Sequence, residues 1–434
     1  MTSPHSPGSG LPFFNLAVPH RPARIQALGP GDDLGAVVVD AVRDGERVHV
    51  VGAGHGSATA IDSGVALLTR GLHGVDVDVS ARTARVRAGS RWSDVLDAAA
   101  PYGLAPVCGS APGVGVVGFL LGGGLSPIGR TTGWATDHVR SFDIVTSDGR
   151  SIRASAVTHA ELFWALRGGG VAPGIVTAVE IDLLPIMSLY AGGLYFGADD
   201  AAGVLDGYAR WAADAPEDLT SSCALLRLPD LEVVPEPLRG RFVVHVRVAV
   251  VGRNDALDLV APLRALASPL VDTVTEIPYA AIGSIHADPV DPMPVLEGGM
   301  LLREFDTAAA VDLLTVAGPR TAAPFAVVEL RQLGGALART GLVADAVIGR
   351  DAGFSLFLVS APVPPLFAEV VPEAAGGLFA AMRSRATGGV TPNFGGALNA
   401  PGQVAASRGS ADLARLHDVW RTYDPTGAFT GLSV

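Results

Sequence analysis

From Arg47 to about Pro185 the chain is built of short apolar runs cut by glycine. RVHVV and VALLT read as compact strands, while VDVDV and ARVRA alternate apolar and polar with a period of two, the pattern of half-buried strands. RWSDVLDAAAPYG predicts a helix that starts after Ser90 and stops near Gly103. Asp148-Gly149 inside FDIVTSDGRSIRAS predicts a tight hairpin, THAELFWALRGGG a helix with Thr158 as N-cap and a glycine exit, and GIVTAVEIDLL a closing strand.

From about Met187 the pattern lengthens. GADDAAGVLDGYARWAADAP, RNDALDLVAPLRALA and FDTAAAVDLLTVAG carry apolar residues at helical spacing, and RFVVHVRVAVVG, FAVVELRQLGG and FSLFLVSAP read as strands. A last helix opens at Ser410 and ends before Pro425. Strands and helices in these proportions predict an α+β fold, and 434 residues exceed the size at which one core stops growing, so two domains are expected. No internal repeat is visible.

Composition narrows the options. The chain is 49% hydrophobic and 17% charged, without an apolar run near the length of about 18 residues that a membrane span needs. Its first residues, MTSPHSPGSGLPFFN, have neither the basic nor the continuous apolar segment of a secretory signal, so a cytoplasmic protein that does not enter membranes is expected. Net charge is -12, with no cluster of basic residues, which argues against nucleic acid as a partner. Cys108 and Cys223 stand alone, so neither a disulfide framework nor a metal site is suggested.

Chemistry enters at two glycine stretches. VVGAGHGSA spaces Gly52, Gly54 and Gly56 as GxGxG with no helix pattern behind it, which excludes a Rossmann fingerprint. Residues without a Cβ still let consecutive backbone N–H groups converge on an anion, and such a concavity can hold a pyrophosphate without lysine. CGSAPGVGVVGFLLGGGLSPIGR repeats the device. Two close-approach loops favour a large flat ligand carrying phosphates.

HVVGAGHG, the block from Gly103 through GVGVVGFLLGGGLSPIGRTTGWATDHVRSFDIVTSDGR, ELFWALRGGG and GIVTAVEIDLLP occur in the order and near the spacing found in flavin-linked oxidoreductases similar to berberine bridge enzyme. FNLAVPHRPARI, VVELRQLGGAL and RLHDVWRTYDPTGAF extend the resemblance over nearly the whole chain. It implies an FAD-binding domain of the PCMH type, residues 1–186 completed by 387–434, and a substrate domain, residues 187–386, with an antiparallel sheet flanked by helices. It further implies FAD held by Gly52, Ala53, Gly54, His55, Gly56 and Ser57, by Ser110, Ala111, Val114, Gly115, Gly118, Gly122 and Gly123, and by Gly174 and Val176.

In such proteins the histidine of the first turn bonds covalently to the flavin, and His55 stands there; a second link through cysteine is not expected, because Ala111 occupies its place and Cys108 lies three positions early. The chain also departs from the family at Ala172-Pro173 in RGGGVAPGIVT, where the proline removes one N–H donor. The YxN motif, whose tyrosine serves relatives as base, reads TPN here, with Thr391 for the tyrosine and Asn393 retained. Threonine has no accessible pKa for that work.

Glu329 and Arg331, which share one face of an alternating strand, are candidate replacements, with Glu329 either a base or a structural ion pair; Tyr195, Tyr279, His286 and His138 are others. The expectation is an oxidase that passes hydride from a C–H or CH–OH group of a small natural-product-like substrate to FAD, with dioxygen reduced to hydrogen peroxide. The alternative is a redox-neutral cyclase or isomerase of the same lineage in which the flavin is mainly structural, favoured by the missing tyrosine.

Overall fold

A computed structural model describes residues 11–429 except 12, 57 and 58. Three strands, β1 (Arg24–Ala27), β2 (Val48–Val51) and β3 (Val65–Leu68), form a parallel sheet in the order β1-β3-β2. Helix Leu34–Arg43, capped by the Asp33 carboxylate on the Ala36 N–H, buries Val38 and Ala41 against it. The chain's far end closes the same core: Val48 N–H donates to the Ala428 carbonyl at 2.8 Å, and Phe429 is buried there.

A second sheet is antiparallel, in the order β4-β5-β8-β6-β7, from β4 (Val75–Asp78), β5 (Thr83–Arg87), β6 (Val139–Thr146), β7 (Ser151–Ser155) and β8 (Gly174–Asp182). The β6–β7 turn is the Asp148-Gly149 hairpin, with Gly149 at φ +80°. One expectation fails nearby: helix Ala160–Leu166 is entered through His159 in the left-handed region, φ +52°, not capped by Thr158, whose N–H turns back to Ser155. The last helix begins at Ser410, but Gly409 is its cap residue.

The third sheet runs β12-β9-β11-β10-β15-β16-β14, with β13 also on β9. Its strands are β9 (Ser188–Gly197), β10 (Leu219–Arg227), β11 (Phe242–Val250), β12 (Val271–Asp272), β13 (Thr275–Pro278), β14 (Glu297–Leu302), β15 (Phe325–Gln332) and β16 (Phe354–Ser360). Successive side chains leave opposite faces of a strand. One set, including Val244, Val246, Val248, Val328, Leu330, Leu356 and Leu358, packs on helices Ala201–Ala213, Ala256–Arg264, Thr307–Ala317 and Val370–Met382. The alternate set carries the polar residues described below. Among the described residues no helix is long and apolar enough to cross a membrane.

Candidate functional site

The first glycine turn leaves β2 at the edge of the parallel sheet. Gly54 adopts φ +76°, a conformation that favours glycine. Among the described residues, no N–H from Gly52 to Gly56 has a protein acceptor. The second glycine stretch comes against it, since a Cβ on Gly115 would lie 3.2 Å from that of Ala53. Around Gly56 and Gly118 nothing lies within 4 Å of where a Cβ would stand. Ala111 and Val114 form a turn between them, Val114 N–H donating to the Ala111 carbonyl at 3.1 Å. Two glycine-rich turns thus face one space, the cradle expected for a pyrophosphate-bearing ligand.

His55 stands in this cradle. Its ring stacks on Phe14 at 4.7 Å and 15°, and Nδ1 is buried with no hydrogen-bond partner. Burial, followed by the positive Arg91, lowers its pKa, so the imidazole is neutral and a nitrogen lone pair is free. Phe14 is fixed in turn: its N–H donates to the Gly54 carbonyl at 3.1 Å and its carbonyl accepts from Met293 at 3.0 Å. An orphaned, buried, nucleophilic nitrogen beside a glycine cradle fits a covalently tethered flavin. Cys108 does not compete, because it is fully buried and burial pushes its thiol up to about 12.

Other expected cofactor residues are placed differently. Ser57 lies outside the described residues. The Ser110 hydroxyl donates to Asp288 Oδ2 at 2.7 Å. Gly122 and Gly123 make room for protein: a Cβ would fall 1.8 Å from Asn393 Oδ1 at the former and 3.3 Å from the Trp134 ring at the latter. Gly174 and Val176 sit buried in β8 beyond its pairing with β5, which starts at Ala178.

The polar face of the large sheet meets the glycine-rich unit opposite residues 125–127. Pairing aligns Gly193, Arg247, Ser222, Arg331 and Ser355 across β9, β11, β10, β15 and β16, and the next row aligns Tyr195, His245, Ala224, Glu329 and Phe357. Glu329 is 3% exposed; it accepts from Arg247 Nη1 at 2.5 Å and Arg331 Nε at 2.9 Å, and His286 Nε2 lies 3.3 Å from it. Burial alone would raise its pKa, but Arg331 and Arg247 outweigh burial and hold the carboxyl well below its usual range. Glu329 is therefore an ion-pair centre and not the base that its sequence position allowed.

Thr391 and Asn393 do not join this cluster. Thr391 is 2% exposed, its hydroxyl without a partner and its methyl turned toward Gly349. Asn393 Nδ2 donates to the Phe119 carbonyl at 2.9 Å, tying the returning chain to helix Val116–Leu121. The segment reaches the cluster through Phe394, whose ring lies 5.0 Å under the Arg331 guanidinium. Tyr279 donates to the Pro106 carbonyl and His138 Nε2 contacts the Thr132 carbonyl, both structural roles. Tyr195 stacks on His245 at 3.7 Å.

His286, a minor candidate in the sequence, is central here. It is 7% exposed, its Nε2 faces Glu329 at 3.3 Å while Nδ1 has no partner among the described residues, and burial and then Arg247 lower its pKa. Arg247, His245 and Ser222 were missed, although His245 and Arg247 are the only polar residues in FVVHVRVAV and sit two apart, which puts them on one face.

A parallel sheet carrying a glycine-rich turn, an antiparallel partner and a large roofing sheet are the parts of a PCMH-type flavin fold. Residues 22–155 match the FAD binding domain family, and the likenesses that follow support an FAD-linked oxidoreductase. It is 35% identical over 175 residues to the FAD-dependent monooxygenase tpcD of Cochliobolus heterostrophus, covering 39% of this chain and 34% of that one. It is 29% identical over 281 residues to (R)-6-hydroxynicotine oxidase of Paenarthrobacter nicotinovorans, covering 62% and 58%. The chain thus spans from about a third to under two thirds of the length of these curated relatives.

Solved structures share the fold over far more of the chain. 6-Hydroxy-D-nicotine oxidase from Arthrobacter nicotinovorans superposes with a TM-score of 0.78 at 24% identity, over 96% of this chain and 92% of that one. Glucooligosaccharide oxidase from Acremonium strictum, described as carrying 6-S-cysteinyl, 8α-N1-histidyl FAD, gives 0.81 at 20%, over 97% and 93%.

Proposed function

We propose that the protein is an FAD-dependent oxidase of a small molecule, with its flavin tethered through His55 alone. The observation that carries this reading is the neutral, buried Nδ1 of His55, without a partner among the described residues, beside two glycine-rich turns that offer backbone N–H groups. FAD, when bound, supplies the hydride acceptor and the centre at which dioxygen is reduced to hydrogen peroxide. Gly52 to Gly56 and Gly113 to Gly118 would hold its phosphates and ring, and Ala111 leaves no sulfur for a second link. The division into an FAD unit, residues 1–186 completed by 387–434, and a substrate unit, residues 187–386, belongs to the same proposal.

His286 is the base in this reading, in place of the absent tyrosine. With a proton on Nε2, which faces Glu329, its Nδ1 is free to accept the substrate proton, and Glu329 stabilises the resulting imidazolium. A base of this kind removes the sequence-level reason for preferring redox-neutral chemistry.

Acid precipitation followed by peptide mass mapping tests the tether. A yellow pellet with one flavin adduct, on His55 and lost in His55→Ala, is expected; freely released flavin or an adduct on Cys108 overturns it. Anaerobic incubation with a panel of candidate substrates tests the chemistry, since turnover without bleaching of the flavin band is incompatible with an oxidase.

A further inference from the structure

The half-open cleft between residues 125–127 and the large sheet has a cavity volume of about 20 Å³ and is lined by Ser222, Arg247, Arg331 and His286, among others. Arg247 and Arg331 flank Ser222 on adjacent strands. Two guanidiniums here share one carboxylate, Glu329. Burial keeps His286 and His245 neutral, His245 also accepting from Arg247 Nε at 3.0 Å through Nδ1. Asp288, the next carboxylate, is engaged by Ser110 and makes no ion pair with either arginine among the described residues. Arg331 Nη2 donates to Ser110 Oγ at 3.4 Å, so Asp288 reaches the arginine row only through that hydroxyl and leaves the guanidinium edges that face the cleft without a direct carboxylate of their own beyond Glu329.

Uncompensated buried charge is costly, and buried polar atoms are normally paired. Yet Ser222 is 4% exposed with its Oγ buried and without a partner, and among the described residues Arg247 Nη2 and Arg331 Nη1 make no hydrogen bond to the protein. Donors without acceptors beside two guanidiniums are complementary to a planar monoanion. We infer that this cleft binds a carboxylate group of the substrate between Arg247 and Arg331, with Ser222 Oγ as a further donor. This rests on the oxidase reading and narrows it: the substrate is a small, otherwise apolar acid, anchored at the arginine row.

The probe is benzoate, with benzamide as its neutral isostere, titrated into the flavin-loaded protein and followed both by the flavin's visible spectrum and by calorimetry. Benzoate is expected to saturate with an affinity about ten- to a hundredfold above benzamide, the range of a charge-assisted hydrogen bond. Ser222→Ala, which leaves every charge in place, is expected to weaken benzoate several-fold and benzamide little; Arg247→Met is expected to abolish the preference. Equal affinity for the two probes, or a benzoate affinity unmoved by Ser222→Ala, overturns the inference even if Arg247→Met fails to fold. Protein with its flavin confirmed on His55 that ignores benzoate keeps the oxidase reading and sinks only this one. Calorimetric binding of benzoate by protein lacking flavin leaves the anion site standing alone.

Discussion

Replacing Glu329 by Gln keeps the side chain's shape and removes its charge, which leaves Arg247 and Arg331 facing each other across a dry sheet surface. Removing one member of a buried ion pair costs about 3–5 kcal/mol, because the partner's charge stays buried without compensation. Unfolding entropy of about 2.1 cal/mol/K per residue over 434 residues makes about 0.9 kcal/mol/K, so the melting temperature is expected to fall by about 3–6 °C. The sign with pH follows from the depressed folded pKa of Glu329. Its stabilisation is fully present above the unfolded value of about 4.3 and is lost only as pH falls through the lower folded value, so the gap between wild type and Glu329→Gln is expected to stay constant from pH 8 to 5. Formate offers a replacement charge, and 100 mM-scale additions, about the strength of ordinary buffer salt, are expected to raise the variant's melting temperature more than the wild type's. Differential scanning fluorimetry across pH and formate reads all three effects. A variant that melts within a degree of wild type, or gains no more from formate than from chloride, refutes the view of Glu329 as counter-ion to two buried cations.

Gly122→Ala is expected to destabilise by about 1–3 kcal/mol through overpacking, solely because its Cβ would lie 1.8 Å from Asn393 Oδ1; its φ of -86° suits alanine. Asn393→Ala loses one hydrogen bond, about 0.5–1.5 kcal/mol, and the double variant is expected to match Asn393→Ala alone, a coupling that thermal denaturation of the four proteins measures. Glu297 has its pKa raised to about 7 by burial. Because the folded value exceeds the unfolded one of about 4.3, stability declines as pH rises between them, and Glu297→Gln is expected to be the more stable protein at pH 8, by at most about 4 kcal/mol, the gap shrinking to at most about 1 kcal/mol near pH 5; since the side chain is partly exposed, water reduces that gain. Parallel melting curves at both pH values would contradict this.

Much of the architecture is legible where periodicity is strong. RVHVV, VDVDV, ARVRA and RFVVHVRVAVVG declare their strands, and Asp148-Gly149 declares its turn, because local chemistry and tertiary packing agree there. The entry to helix Ala160–Leu166 was misread since Thr158 has the right side chain, whereas a left-handed His159 sets the actual boundary. Strand β10, LTSSCALLR, and strand β9 with its glycines carry too little contrast between faces to be picked out, yet Ser222 of β10 lines the cleft and Gly193 of β9 makes room for the His245 ring.

The site divides along the same line. His55 was found because its whole environment, a glycine turn, is contiguous in sequence, and Glu329 with Arg331 because two positions on one strand must share a face. Their chemistry was not legible, since it is fixed by Arg247, 82 residues away, and by His286 from a segment with no periodic pattern. A carboxylate reads as a base or as a counter-ion according to the cations placed across the sheet, and cross-strand register decides that only after the long connections close. With Glu329 committed to two arginines, His286 is, among the described residues, a buried group beside the cleft whose Nδ1 has no partner, which is why the proposed base and the proposed anion site fall on different residues.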